Sequence, residues 1–108
     1  MAEKISHGQI WLHDFKSPNK RRPVVVISRE EVIALLDTVT VAPITSTMRG
    51  APAEVPVGVA EGLKHDSAIN LDYVQTVRKS RLHRYVGSLT GDKMADVGRA
   101  LAIATGCS

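Results

Sequence analysis

The chain has little of what marks secreted or membrane-spanning proteins. It has 108 residues and one cysteine, Cys107, which has no intrachain partner for a disulfide. No apolar run approaches the ~20 residues of a membrane-spanning helix. The N-terminal stretch Met1-Ala2-Glu3-Lys4 lacks the apolar region of a secretory signal. These absences predict a cytoplasmic protein that does not span a membrane.

Two common kinds of functional site also lack support. Four histidines, one cysteine and scattered acidic residues show no Cys-x-x-Cys, no His-Glu-x-x-His and no other close spacing of metal ligands. No glycine-rich phosphate loop opens a helix after a strand, which argues against nucleotide hydrolysis. We therefore expect no metal and no cofactor.

The overall composition indicates one mildly basic domain. The sequence shows no repeat, no low-complexity segment and no long linker, so residues 1–108 are expected to form a single domain. The net charge of +3 does not by itself indicate nucleic acid. Two basic groups stand out, Lys16, Lys20, Arg21 and Arg22 in one and Arg78, Lys79, Arg81 and Arg84 in the other. Composition alone favours the interpretation that these two basic groups are ordinary solvent-exposed loops.

Short apolar stretches separated by turn residues predict several strands. We expect strands over residues 8–14, 22–28, 38–45, 54–57, 67–71, 74–77 and 84–89. The second strand is β-branched almost throughout, which is typical of a strand covered on both faces. This pattern predicts a mainly β fold, a small barrel with helical trim.

Two helices are predicted beside these strands. Residues 28–31 have the Ser-x-x-Glu capping-box pattern, which predicts a helix of about two turns after the second strand. Its apolar positions at helical spacing are Val32, Leu35 and Leu36. A C-terminal helix is expected to begin after Thr90 as N-cap and to end at Gly106.

Polar residues stand at the ends of two apolar strands. Arg22 lies at the start of one, and Thr45 with Ser46 ends the other. One reaction that an arginine and hydroxyls can serve is the cleavage of RNA without a metal. In it the 2′-hydroxyl attacks the neighbouring phosphorus, which becomes five-coordinate and more negatively charged. The planar fork of arginine binds two phosphate oxygens, and a threonine hydroxyl donates to a third. Each residue also fits an ordinary structural role, so these positions alone indicate a small basic β domain suited to phosphate.

A set of short motifs in a fixed order resembles a known family. In chain order they are Gly8-Gln9-Ile10-Trp11, Arg22-Pro23-Val24-Val25-Val26-Ile27, Ala42-Pro43-Ile44-Thr45-Ser46, Glu54-Val55-Pro56-Val57, Gly62-Leu63, Asp66-Ser67-Ala68-Ile69-Asn70-Leu71-Asp72, Thr76-Val77-Arg78-Lys79-Ser80-Arg81-Leu82 and Val86-Gly87-Ser88-Leu89. Together they resemble the MazF/PemK family of toxin endoribonucleases, over nearly the whole chain.

The resemblance implies a fold, an activity and two residue roles. It implies a CcdB-like, SH3-like barrel that forms a homodimer and cuts single-stranded RNA at short sequences without metal. The products carry 2′,3′-cyclic phosphate and 5′-hydroxyl ends. The family arginine falls on Arg22, which stabilises the phosphate and assists proton transfer. The family hydroxyl falls on Thr45, which holds a phosphate oxygen. A cognate antitoxin is expected to occupy the RNA groove with an acidic, flexible segment.

Further residues are expected to contact the RNA. They are Lys16, Lys20, Arg21, Ser46, Arg49, Tyr73 and Gln75. The basic side chains among them suit the RNA backbone, and Tyr73 suits stacking on a base. Tyr73 stands where the family often has glutamine, and the loop before Arg21 is shorter than is common in the family. These differences leave the recognised RNA sequence open.

Two other functions and one other residue role stay open at this point. A CcdB-like toxin that poisons a topoisomerase would use the C-terminal helix instead of an arginine–threonine site. A non-catalytic SH3-like nucleic-acid-binding module is the other alternative. His13 lies on the first strand and is chemically suited to accept a 2′-proton, but the family does not require it. His7, His65 and His83 are expected to be ordinary surface histidines.

Overall fold

The computed structural model describes residues 4–14 and 21–107. Seven strands run in chain order as β1 (Gln9–Asp14), β2 (Arg21–Val26), β3 (Thr38–Thr45), β4 (Glu54–Val57), β5 (Ser67–Asn70), β6 (Gln75–Arg78) and β7 (Leu82–Ser88). The α-helices are α1 (Glu30–Leu35) and α2 (Gly91–Thr105), and single 3₁₀ turns occupy Val59–Glu61, Leu71–Tyr73 and Lys79–Arg81. The predicted mainly β fold, with one helix after the second strand and one at the C-terminal end, is confirmed.

The strands form one antiparallel sheet that does not close. Its main path is β4-β5-β3-β2-β1-β7, and β6 pairs with β3 beside that path. Within the described residues β4 and β7 end the path without pairing with each other, so the sheet of the expected SH3-like fold is not closed. The eight-residue β3 pairs with β6 at its start, β2 in its middle and β5 at its end.

Both faces of the central strands are buried, as the apolar run of β2 predicts. On one face Val25 and Ile10 join a core that α2 covers with Val97 and Ala100. On the other face, side chains including Val24 and Val26 of β2 meet Trp11, Val41 and Leu82. Burying side chains of this size contributes about 1.5–3 kcal/mol each, so β2 is held firmly and presents its first residues at a fixed place.

The start of α1 differs from the prediction. Arg29 is the N-cap and makes no side-chain capping bond. The Ser28 hydroxyl instead accepts a hydrogen bond from the Thr40 backbone N–H at 2.7 Å, across the connection to β3. The predicted capping box is therefore wrong, because a backbone donor of β3 takes the oxygen that would cap the helix.

The apolar residues of α1 do not form a buried face. Ile33 is buried, whereas Leu35 is 81% and Leu36 is 50% exposed. The helix has only six residues, less than two turns, so it buries a single side chain.

The ends of α2 agree with the prediction. The Thr90 hydroxyl accepts from the Lys93 N–H at 3.2 Å, and Gly106 adopts a left-handed φ of 72° at the other end. Across residues 4–14 and 21–107, no helix has the length and hydrophobicity to cross a membrane.

Candidate active site

The pairing of β2 with β3 brings Arg22 and Thr45 together. The two strands run antiparallel with Val24 opposite Pro43. Two residues before Val24 on one strand and two after Pro43 on the other, Arg22 and Thr45 therefore arrive at the same end of the sheet. Arg22 is exposed and Thr45 is half-buried. The sheet thus places an exposed cation and a half-buried hydroxyl at the same end.

Both side chains line one cleft of about 560 Å³, here called the arginine–threonine cleft. Its described lining residues are Leu12, Arg21, Arg22, Pro23, Ile44, Thr45, Ser46, Thr47, Gly62, Leu63, Lys64, His65, Ser67, Arg84, Tyr85 and Val86. Four of these residues are arginine or lysine, and none of those described is aspartate or glutamate. Positively charged side chains that line a cleft focus the electrostatic potential within it, so this cleft attracts anions such as phosphate.

The far wall of the cleft is the segment that follows the Val59–Glu61 turn. Gly62 has a left-handed φ of 94°, and a Cβ placed on it would lie 2.6 Å from the Val86 carbonyl oxygen. A Cβ on Gly87 would lie 2.2 Å from the Glu61 carbonyl oxygen. The two backbones approach this closely because both positions are glycine. Their contact fixes the wall that carries Lys64 and His65.

A second, smaller hollow lies on the other side of Thr45 and is here called the tyrosine hollow. It has a volume of about 190 Å³ and is lined by Pro43, Thr45, Thr47, Arg49, Glu54, Asn70 and Tyr73. Tyr73 is 64% exposed, which leaves its ring open to stacking. The Asn70 side-chain oxygen accepts from the Asp72 N–H at 3.0 Å, so its amide N–H₂ can donate to a ligand.

The loop between these cavities is held by one carboxylate. Glu54 accepts the backbone N–H groups of Arg49 at 3.1 Å, Gly50 at 2.9 Å and Ala51 at 3.3 Å on the same oxygen. Hydrogen bonds to an ionised acceptor are stronger than neutral ones. Glu54 therefore anchors Arg49 next to Thr45.

The predicted site residues fall into four groups. Arg21, Arg22, Thr45 and Ser46 line the arginine–threonine cleft, while Arg49 and Tyr73 line the tyrosine hollow, to which Thr45 also belongs. Gln75 is exposed on β6 opposite Val41 and lines neither cavity. Lys16 and Lys20 lie outside the described residues.

Sequence reasoning missed three cleft residues. Lys64 and His65 line the cleft from the far wall, and Arg84 lines it from β7. In the sequence Arg84 stands out only as part of a basic group, and His65 is predicted to be an ordinary surface histidine. The sequence feature that could have indicated these residues is the presence of Gly62 and Gly87, because glycine often marks a place where two backbone segments approach closely.

His13 is buried and is not among the described lining residues of the cleft. It is the cross-strand neighbour of Arg22 and is only 6% exposed. Burial lowers the pKa of its imidazole, and the positive charge of Arg81 lowers that pKa further; Asp14 partly opposes both. Asp14 also lies 3.4 Å from His83. The buried position of His13 therefore favours the neutral form of its imidazole.

No metal site is evident in the part of the chain that the structure describes. Within it, no three histidine, cysteine, aspartate or glutamate side chains are grouped as ligands for one ion. The cationic cleft is the feature that a substrate would meet.

The open antiparallel sheet with a cationic, hydroxyl-bearing cleft at one end defines a small β protein whose cleft suits an anionic ligand. Residues 6–105 match the family described as PemK-like, MazF-like toxin of type II toxin-antitoxin system. The chain belongs to this family of toxins.

Named relatives agree with the family assignment. The chain is 43% identical over 83 residues to the protein named Endoribonuclease MazF3 of Mycobacterium tuberculosis, covering 77% of this chain and 81% of that one. The solved Mycobacterium tuberculosis toxin MazF-mt6 superposes with a TM-score of 0.85 at 35% identity, covering 93% of this chain and 98% of that one. A mycobacterial endoribonuclease in complex with its cognate antitoxin superposes with a TM-score of 0.86 at 26% identity, covering 96% and 97%.

Proposed function

We propose that this endoribonuclease toxin cleaves single-stranded RNA at short sequences, without a metal, with Arg22 and Thr45 on the scissile phosphate. The observation that carries the proposal is that these two residues, from different strands, line one cationic cleft. The charge of the cleft suits the RNA backbone.

The proposed chemistry follows from the two side chains. The 2′-oxygen of the RNA attacks the adjacent phosphorus, the bond from phosphorus to the 5′-oxygen breaks, and a 2′,3′-cyclic phosphate forms. Arg22 binds two phosphate oxygens through its guanidinium and stabilises the extra negative charge while assisting proton transfer. The Thr45 hydroxyl donates to a further oxygen, with Ser46 beside it. The other product leaves with a 5′-hydroxyl.

The neighbouring cavities supply RNA contacts on either side of the scissile phosphate. Arg21 lies at the mouth of the arginine–threonine cleft, and Arg49 lies in the tyrosine hollow. Tyr73 offers a stacking surface for a base next to Thr45. Because several cations contact phosphates, RNA affinity falls steeply with added salt.

The proposed partners follow from the family and from the charge of the cleft. We propose that the chain works in the cytoplasm as a homodimer and is neutralised by a cognate antitoxin. A type II antitoxin is a protein, and an acidic, flexible segment of it would satisfy the four cations of the cleft in place of RNA. Antitoxin affinity then also falls with ionic strength.

The test is cleavage of a long single-stranded RNA in excess EDTA, with the fragment ends mapped. We expect discrete cuts with 2′,3′-cyclic phosphate ends. Arg22→Ala should lower the rate by about 10²- to 10³-fold, the usual cost of removing one transition-state donor, and Thr45→Val should lower it as well.

The matched control is Arg29→Ala. Arg29 is also exposed, its side chain lies 3.7 Å from Glu31, and it is not among the described lining residues of either cavity, so this variant should cleave normally. Intact RNA with wild-type protein would contradict the proposed activity, and an unaffected Arg22→Ala would remove Arg22 from the mechanism.

A further inference from the structure

The proposed mechanism lacks an acceptor for the 2′-proton. Arg22 is permanently charged and has no lone pair to accept a proton, and the Thr45 hydroxyl is a weak base. We propose that His65 is this acceptor, a catalytic residue on the far wall of the arginine–threonine cleft. The inference rests on the proposed function and adds a third residue to it.

The composition of the cleft leaves His65 as the suitable base. The other basic side chains that line it are Arg21, Arg22, Lys64 and Arg84, all cationic. The Tyr85 hydroxyl is engaged with the Ser88 hydroxyl at 2.8 Å. No described lining residue is a carboxylate. Imidazole is the side chain that most readily exchanges a proton near neutral pH.

Candidate bases near the cleft are otherwise occupied or enclosed. The Glu54 carboxylate faces the tyrosine hollow and accepts three backbone N–H groups. His13, the cross-strand neighbour of Arg22, is buried and is not among the described lining residues of the cleft. His65 is exposed to the solvent that fills the cleft.

The backbone of His65 is fixed beside Thr45. β3 and β5 run antiparallel with Thr45 opposite Ala68, so the residues just before β5 lie beside those just after β3. The Ser67 hydroxyl, in a residue that is only 6% exposed, donates to the His65 carbonyl at 3.1 Å. The glycine contact between Gly62 and β7 holds the other end of the segment. A side chain on such a support can be positioned for proton transfer.

The proposed step conserves atoms and charge. Neutral His65 takes the 2′-proton as the 2′-oxygen bonds to phosphorus, and Arg22 and Thr45 hold the phosphate oxygens. The bond to the 5′-oxygen breaks, and that oxygen takes a proton from solvent. His65 then returns its proton to solvent, so the enzyme regains its starting state and no water is consumed.

The experiment is the single-turnover cleavage rate as a function of pH for the full chain and its His65→Ala variant. The wild-type rate should rise with pH through the range in which a histidine loses its proton. His65→Ala should be about 10²-fold slower at neutral pH, should lose this rise, and should regain activity with added imidazole. RNA affinity of the variant should change little, which separates proton transfer from binding.

The control is His7→Ala, a second exposed histidine that lines none of the cavities described above; it should keep the wild-type rate and profile. A wild-type rate and profile in His65→Ala would overturn the inference, as would loss of the rise in His13→Gln alone. If wild-type protein cuts and Arg22→Ala does not, an unaffected His65→Ala overturns only the role of His65. If wild-type protein does not cut, the proposed function itself fails.

Discussion

Adding one methyl group at Gly87 tests the close approach that builds the far wall of the cleft. In Gly87→Ala the new Cβ would lie 2.2 Å from the Glu61 carbonyl oxygen. Carbon contacts are favourable only near 3.5 Å or beyond, so the two backbones must separate by about 1 Å. Overpacking of this kind costs about 1–3 kcal/mol, partly offset by about 0.4–1 kcal/mol from the stiffer unfolded chain. We therefore expect a net loss of about 1–2 kcal/mol in the free energy of unfolding.

The same displacement should reach the chemistry. The segment that moves carries Lys64 and His65, and a misplacement of about 1 Å in a reacting group can cost about 10²-fold in rate. The assays are thermal unfolding, in which the Tm should fall by about 5–10 °C, and RNA cleavage under conditions where the variant is folded.

A matched substitution with the opposite sign is available in α2. Gly98 lies within this helix and a Cβ on it would meet nothing within 4 Å, so Gly98→Ala should stabilise the protein by up to about 1 kcal/mol through helix propensity. If Gly87→Ala raised the Tm as Gly98→Ala does and cleaved at the wild-type rate, the argument from backbone contact would be refuted.

Two further predictions concern the anchor of the loop and the buried histidine. Glu54→Ala removes the acceptor of three backbone N–H groups, so it should lower the free energy of unfolding by about 1–2 kcal/mol and weaken RNA binding. The control Glu31→Ala, at an exposed carboxylate of α1, should do neither. Equal urea midpoints and equal RNA affinities for the two variants would contradict this prediction. The pKa of His13 in the folded protein is lowered from 6.5, so the unfolded chain binds a proton at His13 more readily than the folded one. The contribution of neutral His13 to stability is therefore complete above pH 6.5 and is lost as the pH falls below that value. Urea unfolding at several pH values should show this decline in the wild type and a smaller one in His13→Gln, and identical declines would exclude His13 as its cause.

Local patterns predicted much of the fold. The β-branched run of β2 predicted a strand buried on both faces, and Thr90 and Gly106 predicted the two ends of α2. These features depend on residues that are neighbours in the sequence and on the periodicity of apolar residues, so a single sequence is enough to predict them. The prediction for α1 was wrong in its cap and in Leu35 and Leu36, because the short helix touches little of the core and a donor from β3 takes the Ser28 hydroxyl.

The site was predictable only in part. The arginine before a proline and the hydroxyl after a strand could be picked out as Arg22 and Thr45, since one begins an apolar run, the other ends one, and both match the family motif. That both line one cleft depends on the register between β2 and β3. The register is set by how the whole sheet buries its apolar faces, which a motif does not contain.

The sequence by itself therefore determined the strand content, the ends of the long helix and the family, and it suggested the two residues that we propose for the site, because each of these depends on neighbouring residues or on short motifs. Only the tertiary structure decided that β3 would carry three partner strands, that the sheet would stay open, and that His65 and Lys64 would line the same cleft as Arg22. The physical reason is distance along the chain. A contact such as that of Gly62 with Val86 joins segments more than twenty residues apart, and it forms only where two glycine backbones meet in the folded molecule.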